Sequence, residues 1–183
     1  AYVNQVGGND ALLFDGGSLL VGADGAILAR APLFREALVL ADLDGGKVEV
    51  LGPDGAPLPP AGAPAPDPLA DEVLSALVLG VKDYVRKCGF RATVVGLSGG
   101  IDSALTACIA AEALGAANVL GVAMPSRYSS THSREDAAAL AASLGIRFQE
   151  ISIEPMHAVF LAQYERAEGR PLPDLAEQNV QAR

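Results

Sequence analysis

From Thr93 to Ser103 the chain reads Thr93-Val94-Val95-Gly96-Leu97-Ser98-Gly99-Gly100-Ile101-Asp102-Ser103. A β-branched, apolar strand pattern delivers a glycine pair straight to a helix start. At such a junction the first amides of the helix have no partner within it, and the positive end of the helix dipole faces outward, which suits a phosphate. Gly99 and Gly100 carry no Cβ to hold a ligand's oxygens away from the backbone. Ser98 and Ser103 add hydroxyl donors. Asp102 alone would repel a phosphate, so its presence points to an intervening Mg²⁺, an ion that takes carboxylate and phosphate oxygens together.

Two other chemistries use similar spacings. No Lys follows the glycines, which excludes the Lys-containing phosphate loop, and no GxGxxG is present. Gly96-Leu97-Ser98-Gly99-Gly100 does match the G-x-S-x-G nucleophile elbow of serine hydrolases, in a strand–turn–helix context. Such a hydrolase also needs a downstream acid and histidine, and the chain has only His132 and His157, both too early to follow the last strands of a full hydrolase sheet. A purely structural Gly-Gly turn is the third reading. His132 precedes a helix cap and His157 lies on an apolar helix; either could shuttle protons, and packing or solvent contact accounts for both. Cys88 and Cys108 read as small core residues, and Asp42 and Asp44 as solvated turn residues.

The elements around this turn follow an α/β alternation. Val73, Leu74, Leu77, Val81, Tyr84, Val85 and Cys88 keep helical spacing, in a core-facing stripe closed by Gly89. A strand is expected over Ala92–Leu97, a helix over Ile101–Leu114, a strand over Asn118–Met124 and a helix over Arg134–Leu144, with Ser133 and Asp136 as a capping box. A strand over Ile146–Ile153, a helix over Glu154–Glu168 and a further helix from near Asp174 follow. This order predicts an open parallel sheet with helices on both faces. Before residue 52 the pattern is β: Ala11–Phe14 and Ser18–Val21 flank an Asp15-Gly16-Gly17 turn, followed by runs at Ala26–Ala31 and Ala37–Leu43. Between them lies Gly52–Pro68, which holds seven of the twelve prolines and reads as an extended linker. The expected division is therefore 1–51, 52–68 and 69–183.

Composition bounds the partners. Half of the 183 residues are apolar and 19% are charged, enough for a core and against wholesale disorder. The longest uncharged run, Ala113–Ser126, has 14 residues, whereas a membrane-spanning helix needs about 20 apolar ones. The net charge of −9 and the lack of a Lys/Arg stripe argue against nucleic acid. Acids outnumber bases 9 to 3 in residues 1–68 and 13 to 10 in 69–183, so a phosphorylated small molecule fits the second part better. Two cysteines make no disulfide framework or zinc site, consistent with a reducing, cytoplasmic setting.

Ser98-Gly99-Gly100-Ile101-Asp102-Ser103 resembles the SGGxDS signature of the ATP pyrophosphatases, whose members cleave ATP to AMP and pyrophosphate while adenylating a substrate. Three further blocks resemble the glutamine-dependent NAD⁺ synthetases. They are Met124-Pro125-Ser126-Arg127-Tyr128-Ser129-Ser130; Glu177-Gln178-Asn179-Val180-Gln181-Ala182-Arg183, with Gln where Glu is common; and Tyr2–Asp10 together with Phe14-Asp15-Gly16-Gly17-Ser18. The last is similar to the late part of a nitrilase-like glutaminase domain. The resemblance implies an adenine nucleotide alpha hydrolase-like fold preceded by a partial nitrilase-like β segment, in a chain cut from the middle of a longer one. It implies ATP-dependent amidation of deamido-NAD⁺ through an adenylate, with ammonia from glutamine and a homo-oligomeric full-length enzyme. The glutaminase Glu/Lys/Cys triad finds no match here. Another ATP pyrophosphatase, such as a tRNA-thiolating enzyme, or a catalytically incomplete nucleotide-binding fragment, are the alternatives.

On that resemblance Gly96, Leu97, Ser98, Gly99, Gly100, Ile101, Asp102 and Ser103 bind ATP, and Asp102 ligates Mg²⁺. Arg127, at the carboxyl edge of the sheet, meets ATP phosphate or ribose, or is simply a solvated loop arginine. Gly121 and Met124 expose backbone to the adenine, or serve only the strand core. Asn179, and Arg183 at the last position, contact deamido-NAD⁺. No residue acts as a nucleophile, because in-line phosphoryl chemistry rests on positioning and charge neutralisation.

Overall fold

The structure, a computed structural model, describes residues 1–42, 47–57 and 68–181. It divides into two compact units, Ala1–Phe90 and Arg91–Arg183.

Among its described residues the first unit holds three antiparallel strand pairs and one helix. β1 (Val6–Asn9) pairs with β2 (Leu12–Asp15), β3 (Leu19–Val21) with β4 (Ile27–Arg30), and β5 (Leu38–Asp42) with β6 (Lys47–Leu51). The hairpin expected across Asp15-Gly16-Gly17 does not form. Both glycines adopt the positive φ that the pattern implied, +74° and +63°, but they pass the chain from β2 to β3, which belong to different ladders. The true partner of β2 is β1, whose Val-Gly-Gly-Asn sequence has little strand propensity. Those glycines serve a close approach. A Cβ on Gly8 would stand 3.4 Å from the Gly80 Cα of α1 (Pro68–Lys87), so the strand and the helix backbone meet face to face.

Asp83 secures that approach. It is 7% exposed, and its Oδ2 accepts a 2.8 Å hydrogen bond from the Gly8 amide while Oδ1 takes a 3.2 Å bond from Arg86. The Lys87 ammonium donates to the Gly8 carbonyl. One carboxylate and one ammonium thus close both backbone groups of a residue that its own hairpin leaves open to α1. Helix α1 therefore packs with β1 and β2, but the stripe expected to face a core does not do so throughout: Val73, Leu74, Leu77 and Tyr84 are exposed, and Val81 and Val85 are half-buried. Cys88, expected in a core, is exposed beyond the end of α1.

The second unit is a parallel sheet with flanking helices. β7 (Thr93–Gly96), β8 (Val119–Ala123) and β9 (Arg147–Glu150) lie in the order β7-β8-β9, with Val95 opposite Gly121 and Gly121 opposite Phe148. α2 (Ile101–Leu114) and α3 (Thr131–Leu144) pack on the sheet and on each other. Their contact residues are Ala107, Ala110, Ala137 and Ala141, all buried beside Val95, Leu97, Val119 and Ile146. Alanine at these positions brings helix backbones close to the strands. α4 (Glu154–Glu168) matches its expected limits, and α5 spans Asp174–Gln181. α3 starts earlier than expected. Its N-cap is Ser130, whose hydroxyl accepts from the Ser133 amide at 3.1 Å, so Ser133 lies inside the helix rather than capping it.

Replacing Asp83 with Ala leaves the buried Gly8 amide without its acceptor and should destabilise the hairpin unit by about 1–3 kcal/mol. Asp83→Asn, which keeps an acceptor, should cost less. Hydrogen exchange at Gly8 checks this, and an exchange rate unmoved by Asp83→Ala would remove the carboxylate from the account.

Candidate functional site

Two helix N-termini converge on the turn that follows β7. Gly100 is the N-cap residue of α2 and supplies no side-chain cap, so the first amides of α2 stay available. Gly99 lies against the first turn of α3. A Cβ there would fall 2.3 Å from the Ser133 carbonyl oxygen, and its φ is +79°. Gly99 is thus required for the contact between the turn and α3, a reason separate from ligand approach. Gly121 is explained in the same way. A Cβ on it would meet the Leu97 Cδ1 at 2.6 Å, so its lack of a side chain seats Leu97.

The amides of the turn are not all open, which corrects one expectation. The Ser98 amide donates to the Ser103 Oγ at 3.2 Å, and the Gly100 amide to the Ser98 Oγ at 3.3 Å. The Ser103 hydroxyl donates to the Gly100 carbonyl at 2.9 Å, and the two serine oxygens stand 3.1 Å apart. These are long, neutral, surface hydrogen bonds that pre-shape the loop. A phosphate oxygen offers shorter, charge-assisted ones in exchange. The amides with no such partner are those of the first turn of α2. The Asp102 carboxylate is exposed beside them, without a hydrogen bond or ion pair among the described residues.

Next to the turn lies a cavity of about 660 Å³, within the range of small-molecule sites. Gly96, Leu97 and Ser98 form one wall, Ala123 to Pro125 a second, and Ile153, Met156, His157 and Phe160 a third, with Ser129, Ser133 and Arg134 between. Of the residues expected to bind ATP, Gly96, Leu97 and Ser98 line the cavity, and Met124 lines it as well. Gly99, Gly100, Ile101, Asp102 and Ser103 lie outside its lining, along the turn and the start of α2. Ser98 belongs to both. The cavity walls contributed by α3 and α4 went unread in the sequence, because single residues from three distant segments carry no local pattern.

Arg127 does not reach this cavity. Its backbone amide donates to the Glu154 Oε2 at 2.9 Å, its Nε to Oε1 at 2.7 Å, and its Nη2 also to Oε1. Glu177 stands 3.7 Å from Nη1 and accepts a 2.6 Å hydrogen bond from the Tyr128 hydroxyl. Half-exposed, Arg127 ties the loop after β8 to α4 and α5. Glu154, through its hydrogen bond and its charge, holds the guanidinium above its ordinary value, and Arg127 holds the Glu154 carboxyl below the ordinary carboxylate range. The hydrogen bond to Glu177 pushes the Tyr128 hydroxyl up. Arg134 makes a comparable pair, with its Nε 3.0 Å from Glu150.

The family model described as NAD synthase matches residues 73–183. The chain belongs to the NAD synthase family. That match begins inside α1 and takes in the turn, the cavity and α5. The whole chain aligns at 50% identity with a glutamine-dependent NAD(+) synthetase of Synechocystis, of which it covers 31%. It aligns at 44% with the corresponding synthetase of Rhodobacter capsulatus, covering 32% of it. The solved glutamine-dependent NAD⁺ synthetase of Acinetobacter baumannii, in complex with adenosine diphosphate, superposes over 99% of the chain with a TM-score of 0.79 at 39% identity, and 33% of that protein is covered. The chain spans about a third of the length of these relatives.

Two other expected NAD synthase positions lie on or beyond α5. Asn179 is exposed on that helix, two residues from Glu177. Arg183 lies outside the described residues. The hydrolase reading loses its base. The Ser98 hydroxyl meets Ser103 and the Gly100 amide, and neither ring nitrogen of His157 is hydrogen-bonded among the described residues.

Two outcomes follow for the site. Gly99→Ala places a Cβ against backbone at a left-handed φ, which alone costs about 1–2 kcal/mol; denaturant unfolding should show at least that loss and nucleotide affinity should fall with it. Glu154 has a folded-state value below its unfolded one, so the tie it makes with Arg127 contributes fully above the ordinary Glu range, about pH 4.3, and is lost as pH falls through the lower folded value. A carboxyl-carbon NMR titration should give Glu154 a midpoint below that of exposed glutamates, and a midpoint at or above theirs would contradict the pairing.

Proposed function

We propose that the polypeptide carrying this segment amidates deamido-NAD⁺ to NAD⁺, cleaving ATP to AMP and pyrophosphate and drawing ammonia from glutamine. The observation that carries this reading is the joining of an SGGxDS turn, held between two helix N-termini, to an apolar cavity through Ser98. The 50% identity to a glutamine-dependent NAD(+) synthetase across the full chain supports it, as does the adenosine diphosphate in the similar Acinetobacter baumannii structure. Residues 1–51 are then the end of the glutaminase domain, 52–68 the linker, and 69–183 the first part of the synthetase domain.

The apolar walls suit the faces of a purine, and with the base there the phosphates would lie over the turn. There the first amides of α2 and the exchangeable serine bonds receive the pyrophosphate that leaves when the substrate carboxylate attacks the α-phosphorus. Asp102 fits Mg²⁺, because its carboxylate is exposed, unpaired and adjacent to the amides that meet phosphate. Bound there, the ion would neutralise charge building on the departing pyrophosphate. The chain's own part is to orient the triphosphate and to keep the Ser98 and Ser103 hydroxyls at hydrogen-bonding distance. Asn179 would face deamido-NAD⁺ from α5, and Arg183 would pair with its phosphate or carboxylate.

With deamido-NAD⁺, Mg-ATP and ammonia, the full-length polypeptide should yield NAD⁺, AMP and pyrophosphate in equal amounts. Asp102→Ala should lower the rate by about 10²–10³, the usual cost of losing one electrostatic contact in a transition state. Formation of ADP in place of AMP would overturn the assignment.

A further inference from the structure

Helix α5 has eight residues, about two turns, too few to hold a helix in water unaided. Its form and its orientation therefore depend on contacts with other elements. Among the described residues, every hydrogen bond and ion pair from α5 to another element is made by Glu177. That side chain is 15% exposed, and its Oε1 accepts the Tyr128 hydroxyl at 2.6 Å with the Arg127 Nη1 at 3.7 Å. Both partners belong to the loop after β8, which is anchored without α5. The Arg127 amide and Nε donate to Glu154 at 2.9 and 2.7 Å, and the Tyr128 ring packs edge-on against the buried His157 at 6.2 Å. Asn179 follows Glu177 by two residues, about 200° around the helix, and is exposed. With Glu177 turned to the loop, Asn179 is presented on the opposite side of α5.

We propose that Glu177 is a positioning residue for the second substrate: its bond to Tyr128, backed by Arg127, fixes the rotation of α5 at which Asn179 meets deamido-NAD⁺. The inference rests on the reaction assigned above and deepens it, by naming what holds the helix that faces the dinucleotide. A two-turn helix released from this bond turns and frays, and the substrate must then order it on binding, at a cost in affinity. The nucleotide side is insulated from that loss. Pro125 and Ser129 bring the same loop to the cavity, and Ser129 is held from within the loop. Its Oγ accepts the Ser126 amide at 3.1 Å, and its own amide donates to the Ser126 carbonyl at 3.0 Å. Breaking the Glu177 bond therefore weakens deamido-NAD⁺ and spares ATP.

Steady-state kinetics on the full-length polypeptide test this. Tyr128→Phe keeps the ring and removes only the hydroxyl. It should raise the KM for deamido-NAD⁺ by roughly three- to tenfold, the worth of one net hydrogen bond. The kcat and the KM for ATP should stay within about twofold of native, the mark of lost binding rather than lost chemistry. Glu177→Gln, which keeps a carbonyl acceptor for that hydroxyl, should stay closer to native than Glu177→Ala. Adding Tyr128→Phe to Glu177→Ala should cost nothing more, because both remove the same bond. A KM for deamido-NAD⁺ unmoved by Tyr128→Phe and Glu177→Ala would overturn the proposal, as would equal rises for both substrates or losses that add in the double variant. Calorimetric binding of deamido-NAD⁺ reads the same order without turnover. Native protein that binds deamido-NAD⁺ more tightly than Tyr128→Phe does but forms no NAD⁺ would strike the assigned reaction and keep the role of Glu177. Native protein that binds none would strike both.

Discussion

The approach of Gly99 to the backbone of Ser133 constrains the whole of the second unit. A strand must end, reverse and enter a helix within four residues, and the reversal must press against the start of another helix. Only a residue without Cβ, at a left-handed φ, meets both demands. The alanines of α2 and α3 follow from the same need, since larger side chains would hold the helices off the sheet and part the turn from α3. Gly121 is the counterpart below. By leaving room for Leu97 it fixes the root of the turn in the core. Gly121 is buried beneath the turn, whereas Gly99 is part exposed within it.

Electrostatics complete the frame at the other side of the cavity. The loop after β8 has no regular structure of its own to hold it, and Arg127 ties it to Glu154 at the head of α4. Glu177 then draws α5 to Tyr128 and the same guanidinium. Arg127 is half exposed, so the worth of its pairs is in geometry more than in stability. An arginine placed at the carboxyl edge of a parallel sheet invites a phosphate reading from position alone. The two glutamates that claim it come from residues 27 and 50 positions further on, which no local pattern signals.

Much of the second unit was legible because its periodicities are local. Ile101–Leu114 and Glu154–Glu168 begin and end where the glycine stops and apolar spacing place them. The cap of α3 was misplaced because four hydroxyl residues, Ser129 to Thr131 and Ser133, compete for it, and only the 3.1 Å bond from the Ser133 amide selects Ser130. The first unit was read less well. β1 carries two glycines and almost no apolar alternation, and its tie to α1 comes from Asp83, some 75 residues away. The turn motif was visible from composition and order, whereas the cavity beside it, assembled from α3, α4 and the ends of β7 and β8, was not.

The seating of α1 bears on how the gene can be dissected. The family match opens within this helix, yet the helix is bound by carboxylate, ammonium and glycine contacts to the first hairpin. A cleavage point chosen at the proline-rich stretch would strip Gly8 of its Asp83 and Lys87 contacts. Swapping halves between relatives would therefore be better done after Phe90, where the compact units part.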